Sequence, residues 1–142
     1  MVCAAAGLAF NSLRPGGIPV IQRKAYDILV PCPEKVGEVK SMSPADFARL
    51  DRKGILVIDA RESERFHEWH VPGALSVPFD YLMPVTDESL KSIASARVKM
   101  VVVYGDGLDP DSGRELGREL SGKGIRNVHF IKGGAEAVRK KP

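Results

Sequence analysis

Apolar positions along the chain follow two rhythms. Ile55-Leu-Val-Ile-Asp59 and Met100-Val-Val-Val-Tyr104 are continuous apolar runs of strand length, as expected of strands buried on both faces. Other apolar residues recur at helical spacing: Phe47 with Leu50, Leu90 with Ile93, and Leu116 with Leu120. Reading both rhythms with the turn residues predicts an alternating order of elements. A short strand ends at Val39. Ser43-Pro44 caps a helix that Gly54 stops. After the strand at Ile55 come a short polar helix from Glu62 to Trp69, a short strand at Leu75-Ser-Val77 and a helix from Asp87 to Ser95. The strand at Met100 is followed by a loop from Gly105 to Asp111 and a helix from Ser112 to Ser121, ended by Gly122 and Gly124. Val128-His-Phe-Ile131 is a last strand, and Gly133-Gly134 leads into a last short helix. Strands alternating with helices predict an α/β domain, a parallel sheet with helices on both faces. Ligands in such sheets bind outside the carboxyl ends of the strands. Three strand ends therefore become candidate sites: Asp59-Ala-Arg61, Tyr104-Gly105-Asp106 and Ile131-Lys-Gly-Gly134.

The first quarter has a different texture. Residues 1–10 are an apolar start, with Val2 to Phe10 free of charge. Residues 11–36 carry Pro15, Gly16, Gly17, Pro19, Pro31 and Pro33, a density that breaks helices and central strands, so they read as an extended arm. The globular domain is expected over 37–142. A bilayer span needs about 20 apolar residues, and no segment reaches that. The apolar start reads either as the end of a membrane anchor or as a short buried terminus. On the first reading the domain is tethered through residues upstream of Asn11 and, in a bacterium, lies outside the cytoplasmic membrane. Arg14, Arg23 and Lys24 oppose that orientation, because positive flanks favour the cytoplasm.

Composition narrows the function classes. The 142 residues are 44% hydrophobic and 27% charged, within the globular range. A net charge of +3 from 21 basic and 18 acidic residues is too mild for a nucleic-acid binder. Cys3 and Cys32 cannot build a disulfide framework, and without a Cys-x-x-Cys pair no cysteine zinc site is expected.

The strand ends, taken with Phe66-His-Glu-Trp-His-Val-Pro-Gly-Ala74, Val77-Pro78, Gly124-Ile-Arg-Asn-Val128 and Gly133-Gly134, resemble the rhodanese homology domain from about Val39 to Val138. That resemblance implies a five-stranded parallel sheet wrapped by helices, preceded here by the Pro/Gly-rich arm of residues 11–36. It also implies sulfur transfer through a persulfide on a cysteine placed directly after the Val-Val-Tyr strand. A helix N-terminus there lowers a thiol pKa and holds anions. This chain has Gly105 at that position, and Pro110 where longer loops carry a second cysteine. The loop Gly105, Asp106, Gly107, Leu108, Asp109, Pro110, Asp111, Ser112 holds three acids and no base. Carboxylates repel the anion such a loop should stabilise. Related phosphatases need a cysteine and an arginine together in the loop, and the first base here, Arg114, falls within the helix. Gly105 itself reads as a position kept for a positive φ.

The expected function is a catalytically silent domain that binds an unidentified protein or small ligand at residues 105–112. The alternative is a thiosulfate or persulfide sulfurtransferase that takes its thiol from elsewhere. No catalytic residue, cofactor or metal is assigned. Arg61 has two readings: a ligand contact near the loop, or an ion pair with Glu62, Glu64 or the loop aspartates. Asp59 reads as a structural hydrogen-bond acceptor. His67 and His70 have zinc-like spacing, but Val71-Pro72 breaks the helix at once. Asp106, Asp109 and Asp111 do not match a calcium-loop spacing. Asp111 and Ser112 suit helix capping. The resemblance leads one to expect a tryptophan a few residues after Gly134, where the chain has Val138. Its one tryptophan, Trp69, reads as half-buried beside the turn.

Overall fold

The computed structural model of the chain describes residues 2–15 and 37–140. The chain divides into two compact units, Met1–Pro31 and Cys32–Pro142. In the first, helix α1 (Val2–Leu13) carries no charged residue. It runs past Phe10, where the apolar start was expected to end, and Ser12 donates its hydroxyl to the Ala9 carbonyl at 2.8 Å. Leu8, Phe10 and Leu13 are exposed on it. Among the described residues no helix is long and apolar enough to cross a membrane. Beyond Pro15 the expected arm, with Cys32, lies outside the described residues.

The second unit holds strands β1 (Lys40–Met42), β2 (Ile55–Asp59), β3 (Leu75–Ser76), β4 (Met100–Tyr104) and β5 (Val128–Ile131). Helices α2 (Pro44–Arg49), α3 (Ser63–Glu68), α4 (Asp87–Ser95), α5 (Ser112–Gly122) and α6 (Gly134–Arg139) connect and follow them. The five strands form one parallel sheet in the order β1-β5-β4-β2-β3. The fold is α/β, as the alternation implied, and its five parallel strands are the number that the resemblance implied.

Side chains on successive strand residues point to opposite faces, so each buried strand feeds two cores. Ile58, Val101 and Val103 pack with Ile93 of α4 and with Leu116 and Leu120 of α5. Val57, Val102 and Tyr104 pack with Phe47 of α2 and Ala135 of α6. Ile58, Val102 and Val103 are fully buried, and each such side chain contributes about 1.5–3 kcal/mol of burial. The alternation is invisible in the sequence because both faces are apolar.

Several boundaries differ from expectation. β1 begins at Lys40, one residue after its expected end, because Lys40–Met42 pairs with His129–Ile131 while Val39 packs on the α5 face. α2 ends at Arg49 with Leu50 already extended, so Gly54 does not stop it. Gly54, at φ 74°, instead makes the turn into β2 and accepts from the Lys99 N–H at 2.8 Å. β3 stops at Ser76. Asn127 takes a positive φ of 56°, a region asparagine tolerates, and its amide donates to the Lys99 carbonyl at 2.7 Å. That is the structural use of the Gly-x-x-Asn-Val stretch.

All five strands end on one edge. Neighbouring strands β4 and β5 send their helices, α5 and α6, to opposite faces of the sheet. Ligands in such sheets bind where that happens. There the residues after Tyr104 and after Ile131 pack against each other.

Candidate functional site

The end of β2 is a closed polar brace. Asp59 is completely buried. Arg61 folds back on it: Nε donates to Oδ1 at 3.0 Å, Nη2 to Oδ2 at 2.7 Å, and the Arg61 backbone N–H to Oδ1 at 3.0 Å. Nη2 also donates to the Trp69 carbonyl at 2.6 Å. The bidentate pair is the strong form of a charge-assisted bond, and it raises the guanidinium pKa above its usual value, first through the bond to Asp59. The expected partners Glu62, Glu64 and the loop aspartates are therefore corrected to Asp59. The strand places Asp59 inside, two residues from Arg61, and a buried carboxylate without a counter-charge would be costly.

Tyr104 completes the brace from β4. Its hydroxyl accepts from the Val71 N–H at 3.1 Å. Burial pushes the phenol well above its ordinary range. The Arg61 guanidinium lies 5.6 Å from the Tyr104 ring centroid and 5.8 Å from that of Trp69. Trp69 packs edge-on to Tyr104 and joins the core that contains Val138. A tryptophan from the turn thus sits in the cluster where one was expected from the last helix.

The end of β4 is built differently. Gly105 is buried, and its carbonyl accepts from the Ala135 N–H at 2.8 Å. Gly107, at φ 76°, lies against Gly133, and a Cβ on Gly134 would strike the 105–107 backbone. The Gly133-Gly134 pair is what lets this loop press onto α6. Gly105 does not have a positive φ, so that expectation is corrected. Glycine is required there by contact: a Cβ would fall 2.6 Å from Asp111 Oδ1 and collide with the Gly113 nitrogen and Ser112 Oγ.

The start of α5 is satisfied from within. Asp111 is its N-cap, its carboxylate accepting from the Gly113 N–H at 2.8 Å. Ser112 Oγ accepts from the Asp106 N–H at 3.2 Å. Asp111 is buried, and burial raises its pKa above the ordinary carboxylate value, the Gly113 N–H opposing and Asp106 adding to the rise. Asp106 accepts from the Leu108 N–H at 3.1 Å. Asp109 pairs with Arg114 at 3.3 Å, and Arg114 also binds Glu115. Leu108 is exposed at the loop tip. The Tyr81 hydroxyl donates to the Pro110 carbonyl at 3.0 Å.

The three aspartates thus serve separate local bonds. His67 and His70 each bond a carbonyl of their own helical turn, Ser63 and Phe66, and His70 stacks on Phe66 at 4.1 Å. Among the described residues no three His, Cys, Asp or Glu gather as a metal site. Arg61 and Asp106 line one small cavity of about 80 Å³ with Trp69 and Arg139, so the structure brings Arg61 to the rim of the loop. Tyr81 was not among the residues the sequence singled out, and Trp69 was read only as half-buried beside the turn; Tyr104 and Gly134 lay within the candidate strand ends without a role of their own. Tyr104 had a signal, a polar-tipped ring at the end of an otherwise aliphatic strand.

With this geometry in place, comparison with known proteins assigns the family. Residues 43–141 match the rhodanese-like domain, and the chain belongs to that family. Its fold resembles solved structures. The BH2092 protein of Bacillus halodurans is 25% identical over 71% of this chain and 72% of its own, with a TM-score of 0.58. A protein of unknown function from Rhodopseudomonas palustris, described as a possible tyrosine phosphatase, is 19% identical over 71% of this chain and 80% of its own, with a TM-score of 0.55. An uncharacterized protein from Saccharomyces cerevisiae is 22% identical over 71% of this chain and 91% of its own, with a TM-score of 0.52. No curated protein matches the chain.

Proposed function

We propose that this rhodanese-like domain transfers no sulfur and instead binds a protein or small ligand at the loop from Gly105 to Ser112. The observation that carries the reading is the Asp111 carboxylate set at the start of α5, where it accepts from the Gly113 N–H. An anionic sulfur or phosphoryl group at the mouth of that helix would need that donor. Here a built-in anion already holds it, and position 105 has neither a thiol nor room for one. Phosphoryl transfer lacks support for the same reason. The loop carries no nucleophilic cysteine, and Arg114 is turned to Asp109 and Glu115.

The test is incubation of the full chain with thiosulfate and cyanide, and separately with p-nitrophenyl phosphate. We expect no thiocyanate, no mass gain of one sulfur atom and no nitrophenol above the rate without protein. Turnover lost on Cys32→Ser would overturn the reading and identify an arm thiol as the sulfur carrier. Turnover appearing only when a thiol-bearing protein is added would establish the sulfurtransferase alternative.

A further inference from the structure

The segment between β3 and α4 exposes Tyr81, Leu82 and Met83 at 61%, 88% and 66%. Leu108, on the neighbouring loop, is 69% exposed. The Tyr81–Pro110 hydrogen bond ties the two stretches together, so their apolar side chains belong to one surface. Beside it runs a groove of about 490 Å³ between residues 79–84 and the outer side of α5. Large apolar groups clustered this way on a soluble domain mark an interaction surface.

The charges around the groove say what kind of partner it suits. Its basic groups are already spent, Arg118 on Glu115 and Lys123 on Glu119, against the acids Asp80, Glu115 and Glu119 in the same lining. Asp80 in the groove and Asp106 on the loop beside Leu108 are exposed, and among the described residues neither bears an ion pair; each accepts from a backbone N–H two residues on. The rim is therefore acidic on a chain whose net charge is +3. An acidic rim repels phosphate-rich surfaces such as anionic membranes. It attracts basic groups at the edge of an apolar contact.

We propose that this groove docks a short amphipathic segment of a partner protein, with apolar anchors against Tyr81, Leu82, Met83 and Leu108 and Lys or Arg toward Asp80 and Asp106. The inference rests on the binding-domain reading above and supplies its partner chemistry. Leu82 and Met83 give the apolar anchors their contact, and the two aspartates favour the basic flank.

The test uses the full chain labelled with ¹⁵N and two synthetic probes: a Leu/Lys peptide with leucines at helical spacing, and its Leu/Glu counterpart. The Leu/Lys peptide is expected to shift the amides of residues 79–84, 106–109 and α5, more tightly at low salt. The Leu/Glu peptide is expected to leave them unmoved. Leu82→Ser with Met83→Ser should weaken the peptide by about ten-fold or more, with Tm unchanged because both side chains face solvent. Equal binding of both peptides, shifts elsewhere, or a double variant that binds like the parent would overturn the proposal. Self-association through this face, or binding to neutral phosphatidylcholine vesicles that the double variant loses, would overturn it too. The thiosulfate assay on the same samples separates the outcomes: thiocyanate sinks the silent-domain reading, whereas a failed peptide titration sinks only this groove.

Discussion

Asp59 and Asp111 are both buried carboxylates at the carboxyl edge of one sheet, and they are neutralised in different ways. Asp59 has a guanidinium in bidentate contact and the Tyr104 hydroxyl beside it. Asp111 has the Gly113 N–H at the head of α5, and its nearby cation, Arg114, is spent on Asp109 and Glu115. The first arrangement ties β2, β4 and the His-Val-Pro-Gly turn into one brace. The second fills the place where a helix would otherwise present donors to an outside anion. The difference separates a brace that holds strand ends together from a carboxylate set at the start of a helix.

The sharpest way to break this contrast is to remove Asp59. Asp59→Ala leaves the Arg61 head group, 10% exposed, without its counter-charge. The expected loss is about 3–5 kcal/mol, read from denaturant unfolding. Adding Arg61→Met should restore part of it, because the orphaned charge goes too. If both variants lose the same amount, the pair is not what the brace depends on.

A smaller loss is expected at Gly105. Gly105→Cys restores the family's nucleophile in name, but its Cβ meets the backbone nitrogen of Gly113 rather than a flexible chain end. Overpacking of that kind costs about 1–3 kcal/mol. The thiol should form a persulfide from thiosulfate poorly even after Asp106→Ser and Asp109→Gly, because Asp111 still holds the Gly113 N–H. Full thiosulfate reactivity of the single variant, measured by mass, would show that the cradle is open after all.

The smallest effect is a slope in pH at Asp111. Burial raises its folded pKa, so the folded chain binds that proton more readily than the unfolded chain. The stability this proton contributes is fully present below the unfolded value of about 3.9 and is lost as pH rises through the higher folded value. Asp111→Asn keeps a capping oxygen and removes the charge. As pH rises above the unfolded value of about 3.9, the parent should lose stability relative to Asp111→Asn. Parallel curves of denaturant midpoint against pH would show that the carboxylate is not strained by burial.

The sequence by itself determined the alternation of strands and helices over the domain, though not helix α1 or the bounds of β1. Uninterrupted apolar runs at Ile55 and Met100 suit strands covered on both faces, and glycines, caps and helical spacing punctuate the rest. It also determined that position 105 carries no thiol and that acids crowd the loop, since residue identity suffices for both. Only the tertiary structure decided which face each strand residue supplies, because Val57 and Ile58 read alike until helices cover them. It decided that Arg61 belongs to Asp59, a pairing set by where the strand end turns. It placed Trp69 in the core with Val138, across a distance in sequence that no local pattern spans. It also gave Gly105 its reason. The reason is the approach of a helix start seven and eight residues on, at Ser112 and Gly113, and not the backbone angle of the glycine itself. Contacts of this kind depend on the separation of elements in space, which the order of residues along the chain does not encode locally.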